Sequence, residues 1–324
     1  LIADFCAKVG AVYIIEEGDP YLENKVRAMG IACVGKEKIP VLGELNTSIV
    51  RKAFSGEEDV AAYEIATAAP PRPPVLCAGC PHRGYFYGIL KNKKDIVVLG
   101  DIGCYSLGVN PPYEGFDTTI CMGAGISATI GMAEALKLHG DKRKAFGMVG
   151  DSTFFHSGIT GLVDAVHENS NICICILDNS ITAMTGHQEN AGTVKNLRGE
   201  PATQMDILKF VRATGLDESR IRVVDPIDIK AMDEAIKAAI RTEGPFVIVT
   251  KSPCVLIKQV ARARAGKYYR INQSNCKKCK SCVRLACPAI SFKDNVVTID
   301  ASACTACGLC IQVCKFNAIE KVGE

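Results

Sequence analysis

Four continuous apolar runs punctuate the middle of the chain, at residues 96–100, 145–150, 172–177 and 246–250. Runs of that length, bounded by turn residues, suit strands buried on both faces of a parallel sheet. Apolar residues recur at helical spacing over 126–139, 160–168, 205–214 and 229–242. In the last of these, Met232, Ala235, Ile236, Ala239 and Ile240 fall on one face. Strands alternating with helices predict right-handed βαβ units, and so an α/β fold with a doubly wound parallel sheet over residues 71–257. Such sheets bind ligands outside the carboxyl ends of their strands, and candidate chemistry is sought there.

Residues 1–70 read as a smaller α/β segment. A helix runs to Gly10, strands cover 11–15 and 31–34, and further helices cover 20–30 and 47–54. Pro20 suits a first helical turn and Gly30 a helix end. The run Pro70-Pro71-Arg72-Pro73-Pro74 predicts a stiff, extended linker and a domain boundary. Residues 258–270 form a basic connector, either a solvated linker or a docking surface for a small acidic electron carrier. It leads into a cysteine-rich tail, expected to form a separate α+β domain over 258–324.

The 324 residues allow two or three domains, and 38 Lys and Arg nearly balance 35 Asp and Glu. That balance gives no electrostatic footprint for nucleic acid. No run of 18 apolar residues and no signal-like opening segment appears, so the expectation is no membrane partner and a cytoplasmic protein. The chain opens at Leu1 inside a helix-like stretch, as a fragment would.

Seventeen cysteines in such a chain point to metal or redox chemistry rather than disulfides. Cys173 and Cys175 sit inside an apolar run and read as small core residues. Eight others form an internal repeat: Cys276-x2-Cys279-x2-Cys282-x4-Cys287-Pro288, then Cys304-x2-Cys307-x2-Cys310-x3-Cys314. Zinc prefers two separated Cys-x2-Cys pairs, and a third cysteine three residues on is awkward for its tetrahedron. Over about fifty residues the tail resembles bacterial two-cluster ferredoxins, in which each three-thiol run borrows the remote cysteine of the other. That resemblance implies two 4Fe–4S clusters. One is held by Cys276, Cys279, Cys282 and Cys314, the other by Cys304, Cys307, Cys310 and Cys287. The spacing before Cys287 is one residue longer than the usual three, and Lys315 replaces the usual proline. A lysine near a cluster would favour its more negative, reduced state.

Gly150-Asp151-Ser152 ends one predicted strand and Asp178-Asn179 the next. Adjacent strand ends would bring Asp151 and Asn179 together as hard oxygen ligands for Mg²⁺, leaving room for diphosphate oxygens. A helix expected to begin near Ser157 would point amides at an anion. An ordinary strand-end aspartate and turn asparagine are the alternative.

These residues resemble the thiamine-diphosphate-binding domain shared by transketolases, decarboxylases and 2-oxoacid oxidoreductases. The resemblance implies Mg²⁺ ligation by Asp151, Asn179 and the carbonyl of Ile181, with Ser152 where glycine is usual. Further pieces lie beside predicted strand ends: Cys77-Ala-Gly-Cys80-Pro-His82-Arg, Gly100-Asp-Ile-Gly103-Cys104, Met122-Gly123-Ala-Gly125 and Thr182-Ala-Met-Thr-Gly-His187-Gln. Gly103, Gly123, Gly125 and Gly150 would let backbone approach a cofactor closely. Cys77, Cys80 and Cys104 read as pocket residues, and the first two could also be half a metal site. His82 and His187 are candidates for handling the substrate carboxylate or a proton, with a structural role as the alternative; His156 ranks behind them.

Together, and including Glu16-Glu17 and the tail, the chain resembles catalytic subunits of the indolepyruvate ferredoxin oxidoreductase family. The resemblance implies CoA-dependent oxidative decarboxylation of arylpyruvates to aryl-acetyl-CoA. It also implies ferredoxin as electron acceptor and a smaller beta subunit as partner. Residues 1–70 resemble the end of the transketolase-C-like domain that lies between the two thiamine domains. The cofactor-activating glutamate would lie in an absent preceding half, so this fragment alone should not turn over. A pyruvate-type oxidoreductase, an electron-transfer module and a non-redox thiamine enzyme are the rival readings.

Overall fold

A computed structural model describes residues 1–57 and 73–323. The chain divides into two compact units, 1–72 and 73–324. Pro70, Pro71 and Arg72 of the expected linker lie outside the described residues.

In the first unit, helices span Ile2–Cys6, Tyr21–Ala28 and Thr47–Ser55. The strands expected over 11–15 and 31–34 reduce to one parallel bridge, Tyr13 to Val34. Most residues of both segments are at least partly solvent-exposed, so little apolar burial holds a longer ladder together. Glu16 accepts the amides of Leu22 and Glu23 (2.8 and 3.0 Å), and Glu17 accepts that of Leu45 (2.8 Å). Glu16 thus satisfies amide donors that the first helical turn leaves without partners.

The second unit is built on a six-stranded, wholly parallel sheet of order β2-β1-β3-β4-β6-β5. The strands are β1 (Ile96–Gly100), β2 (Thr118–Thr119), β3 (Lys144–Gly150), β4 (Ile172–Asp178), β5 (Ile221–Val224) and β6 (Phe246–Lys251). Side-chain alternation splits β4 between two cores. Ile172, Ile174 and Ile176 pack on one face with Ile126, Leu162 and Val211. Cys173, Cys175 and Leu177 pack on the other with Tyr85, Phe86 and Met232. Cys173 and Cys175 are therefore core residues, as their apolar run implied. The helix Ile229–Arg241 turns Met232, Ala235, Ile236 and Ala239 inward, while Asp228 caps its first amides, a contribution of about 1 kcal/mol.

The helix expected near Ser157 starts earlier. Helical structure begins at Asp151, directly after β3, and continues through a π-helical turn at Phe154–Gly158 into Ile159–His167. The first helical amides therefore lie beside Asp151 itself, and the wider turn carries Phe154, Phe155 and His156.

The tail belongs to the same compact unit as the sheet. The basic connector is a short helix, Lys258–Arg264, followed by β7 (Tyr268–Ile271), so its second part is strand rather than linker. β8 (Ile290–Lys293) and β9 (Val296–Ile299) form an antiparallel hairpin through Asp294 and Asn295, whose φ values of 50° and 58° suit a tight turn with the sheet's twist. β10 (Ile319–Val322) closes back on β7. A core of Tyr269, Leu285, Leu309, Val313 and Ile319 joins the tail to Ile229 of the sheet domain.

Candidate functional site

The carboxyl ends of β1, β3 and β4 enclose a cavity of about 130 Å³. Gly103, Cys104, Tyr105, Gly150, Asp151, Ser152, Asn179 and Ile181 all line it. The three expected Mg²⁺ ligands thus face one space, one from the end of β3 and two from just beyond β4. Asn179 Oδ1 accepts from the Ile181 amide (3.3 Å), and Asp151 Oδ1 accepts from Ser152 (2.8 Å). Burial, reinforced by the nearby Asp178 carboxylate, pushes Asp151 up to about 7. Burial also raises Asp178. Two buried acids at adjacent strand ends, with hard oxygens beside them, are what a divalent cation would relieve, so the residues present fit the ion.

Gly123 and Gly125 play a different part from the one their sequence suggests. Their amides donate to the fully buried carboxylate of Asp101 (2.7 and 3.2 Å), and neither glycine lines the cavity. Gly123 has φ +88°, and a Cβ on Gly125 would lie 2.2 Å from the Met148 carbonyl. Asp101 therefore pins this turn while Met122 reaches the cavity.

His82 is 3% exposed, with Nε2 unpartnered among the described residues, and stacks edge-on to Tyr105 at 5.8 Å. Burial pushes its pKa down to about 4, which keeps the ring neutral. It supports Tyr105 from behind rather than lining the cavity. His187 is exposed and its Nε2 lies 4.0 Å from Cys254 Sγ. His156 is exposed against Ser157 Oγ (2.5 Å).

Cys77 and Cys80 have companions that the sequence order conceals. Cys80 and Cys104 are pushed up to about 12 and 11, first by burial and then by other thiols. Cys77 and Cys104 act on Cys80, and Cys254 and Cys77 act on Cys104. Burial also raises Cys254, which feels both Cys77 and Asp151. The Cys254 amide donates to the Asn179 carbonyl (2.9 Å), which fixes the residue beside the cavity. Cys254 was missed because only the pairing of β4 with β6 brings Lys251-Ser-Pro-Cys254 to this rim. Its only sequence signal is a cysteine just past a strand end.

The tail gathers its eight cysteines into two sets. Cys287, Cys304, Cys307 and Cys310 line one space, with Tyr269, Leu285 and Leu309 as apolar walls. Cys276, Cys279, Cys282 and Cys314 line another, with Ile271, Val297 and Phe316. Burial and then the other three thiols of its set push Cys310 up to about 12, and the same causes raise Cys282. Backbone amides of Tyr269 and Ala318 point at the sulfurs of Cys304 and Cys314, each at 3.4 Å. Among the described residues, no three His, Cys, Asp or Glu side chains close on a single-ion site. Four crowded thiols with amide donors suit a multi-iron group, whose positive charge would hold them deprotonated. Lys315 lies within electrostatic reach of Cys279, whose thiol is lowered chiefly by its hydrogen bond with Ser281.

A parallel sheet with a hard-oxygen site at its switch point is joined here to two thiol-lined spaces. Residues 101–250 match the family "Thiamine pyrophosphate enzyme, C-terminal TPP binding domain", and residues 297–320 match "4Fe-4S binding domain". Over 99% of its length the chain is 38% identical to indolepyruvate oxidoreductase subunit IorA of Archaeoglobus fulgidus, covering 53% of that protein. Over its full length it is 37% identical to the subunit IorA of Pyrococcus horikoshii, covering 55%. The chain is similar over its whole length to these IorA subunits and spans about half the length of these curated relatives. Among solved structures it is similar to a 2-oxoglutarate:ferredoxin oxidoreductase from Magnetococcus marinus, with TM-score 0.49 and 19% identity over 60% of this chain and 71% of that one.

Proposed function

We propose that the complete protein carries out CoA-dependent oxidative decarboxylation of arylpyruvates and passes the electrons through 4Fe–4S clusters to ferredoxin. The observation that carries this reading is that Asp151, Asn179 and Ile181 face a single cavity that Cys104 also lines, within the compact unit that holds the tail cysteines. Bound there, thiamine diphosphate supplies the electron sink for loss of carbon dioxide. The chain's own part is positioning. Asp151, the Asn179 amide oxygen and the Ile181 carbonyl would hold Mg²⁺ against the diphosphate. Tyr105 fixes the floor: its hydroxyl donates to Ile102 O (2.9 Å) and accepts from the Gly150 amide (2.9 Å).

In this reading Cys287, Cys304, Cys307 and Cys310 hold one cluster, and Cys276, Cys279, Cys282 and Cys314 hold a second. A third set of Cys77, Cys80, Cys104 and Cys254 is favoured because Cys104 lines the cavity with Asp151, the Cys254 amide is tied to the Asn179 carbonyl (2.9 Å), and these thiols influence one another. Four thiols there would place an electron acceptor next to the cofactor. The Cys276 set is bordered by Lys277, Lys280 and the partly exposed Phe316, a surface suited to an acidic carrier such as ferredoxin. Unpaired thiols throughout the chain fit a reducing, cytoplasmic setting. The similarity to IorA, itself named as a subunit, supports a smaller partner subunit.

The test is ferredoxin-linked oxidation of a panel of 2-oxo acids by the full-length, partnered enzyme. An aryl side chain buries far more apolar area than a methyl group, so kcat/KM for indolepyruvate should exceed that for pyruvate by about a hundredfold. Equal values would refute the aryl assignment. Iron analysis of the anaerobically prepared protein should give about twelve per chain, with about four lost in Cys254→Ala. About eight in both would remove the third set and leave the tail clusters standing.

A further inference from the structure

Arg83 is a buried cation without an anionic partner. It is 2% exposed, and its four hydrogen bonds all go to main-chain carbonyls. Nε donates to Cys77 O (2.9 Å) and Nη2 to Leu76 O; Nη1 donates to Leu285 O (3.0 Å) and Ala286 O (2.6 Å). The guanidinium thus ties the Cys77–Cys80 turn to the residues just before Cys287, about two hundred positions downstream. It also lines the space enclosed by Cys287, Cys304, Cys307 and Cys310. Next to it Gly79 packs so tightly that a Cβ would stand 1.9 Å from Thr305 Oγ1, two residues before Cys307. Tyr113 strengthens the same joint by donating to Leu285 O (2.6 Å).

Burying a guanidinium costs several kcal/mol unless negative charge compensates it, and carbonyl dipoles do so only in part. No carboxylate pairs with Arg83 among the described residues. The anionic partner its position implies is the thiolate-bound cluster beside it.

We propose that Arg83 is a positioning residue for the cluster of Cys287, Cys304, Cys307 and Cys310, fixing the Cys287 loop against the sheet domain and raising that cluster's reduction potential. Reduction adds one negative charge, and a fixed positive charge in a low-dielectric interior favours the reduced form. The Cys276 set differs: Lys277 and Lys280 at its rim are exposed, so water screens their charge. The Arg83 effect therefore belongs to the interior side of the relay, where Arg83 also acts on Cys80 of the third set.

The inference rests on the proposed cluster sites, and its test separates the two. Midpoint potentials are measured by EPR-monitored redox titration of the full-length, partnered enzyme, alongside iron content. If the wild type shows no iron at the Cys287 set, judged by comparison with Cys287→Ala, the cluster reading fails. With that signal present, Arg83→Gln should move its midpoint to more negative potential by about 59 mV, a tenfold change for one electron. The Cys276-set midpoint should stay put, and Arg83→Lys should restore most of the shift. Unmoved midpoints in an iron-replete Arg83→Gln protein would overturn the inference. Should the glutamine variant lose its iron, retention in Arg83→Lys supports the charge role, and loss there too shows a purely structural one and overturns it.

Discussion

Asp151 at the start of the helix after β3 and Asp178 at the end of β4 stand close enough for each carboxyl group to shift the protonation of the other. Neither has a lysine or arginine ion pair among the described residues. Without a bound cation the pair is held apart from its ordinary ionisation by burial, and that fixes the pH behaviour of the site.

Asp151 is raised to about 7, above its unfolded value. Its contribution to stability is therefore fully present below the ordinary carboxylate pKa and is lost as pH rises through 7. Mg²⁺ reverses this by favouring the ionised form. In the full-length protein, Mg²⁺-dependent binding of thiamine diphosphate should weaken about tenfold per pH unit below 7, as a proton competes for the site. Calorimetric titration at pH 6 and pH 8 checks this; equal affinities would mean that Asp151 does not ligate the ion.

Asp151→Ala should lower that affinity by at least about tenfold, because it removes the one carboxylate among the three expected ligands. The tail-cluster iron should not change, since none of the eight tail cysteines lines the cavity that holds Asp151. The pairing of calorimetry with iron analysis distinguishes loss of a ligand from loss of the fold.

His82→Ala should destabilise the protein by about 2–4 kcal/mol, since it empties a fully buried site beneath Tyr105. The native ring has its pKa depressed to about 4, so its contribution is present above the unfolded value and is lost as pH falls through 4. The pH–rate profile between 5 and 8 should therefore show no inflection that disappears in the more conservative His82→Gln. A lost inflection near neutrality would return His82 to the list of proton-transfer groups.

The tail ligand sets predict paired phenotypes. Cys276→Ala and Cys314→Ala should damage the same cluster, and Cys287→Ala and Cys304→Ala the other, as read by EPR of the reduced protein. If Cys276→Ala and Cys287→Ala damage the same one, the crossed assignment is wrong.

The parts of this fold legible in the sequence were those with a one-dimensional signature. β1, β3, β4 and β6 are buried along nearly their whole length, so their apolar runs announced them. β5 is half-exposed and β2 is two exposed threonines, so neither carries such a run. The helix His82–Asn92 was hidden by Gly84 and Gly88, which look like breakers. There they permit close packing: a Cβ at Gly84 would meet the Pro226 carbonyl at 1.6 Å. The tail motif and the Asp151–Asn179 pair were readable because their spacing is local or strand-to-strand. Cys254, Asp101 and the bridging role of Arg83 depend on contacts between distant segments, which no local pattern records.

In the proposed function a thiamine site and a set of iron clusters work as one electron path. The most direct measurement is EPR of the full-length, partnered enzyme after anaerobic mixing with indolepyruvate and CoA, with ferredoxin omitted. The account predicts a reduced-cluster signal in the wild type, and none in Asp151→Ala, whose clusters dithionite still reduces. A dithionite-reducible wild type that stays silent with substrate, or an undiminished signal in Asp151→Ala, would contradict it.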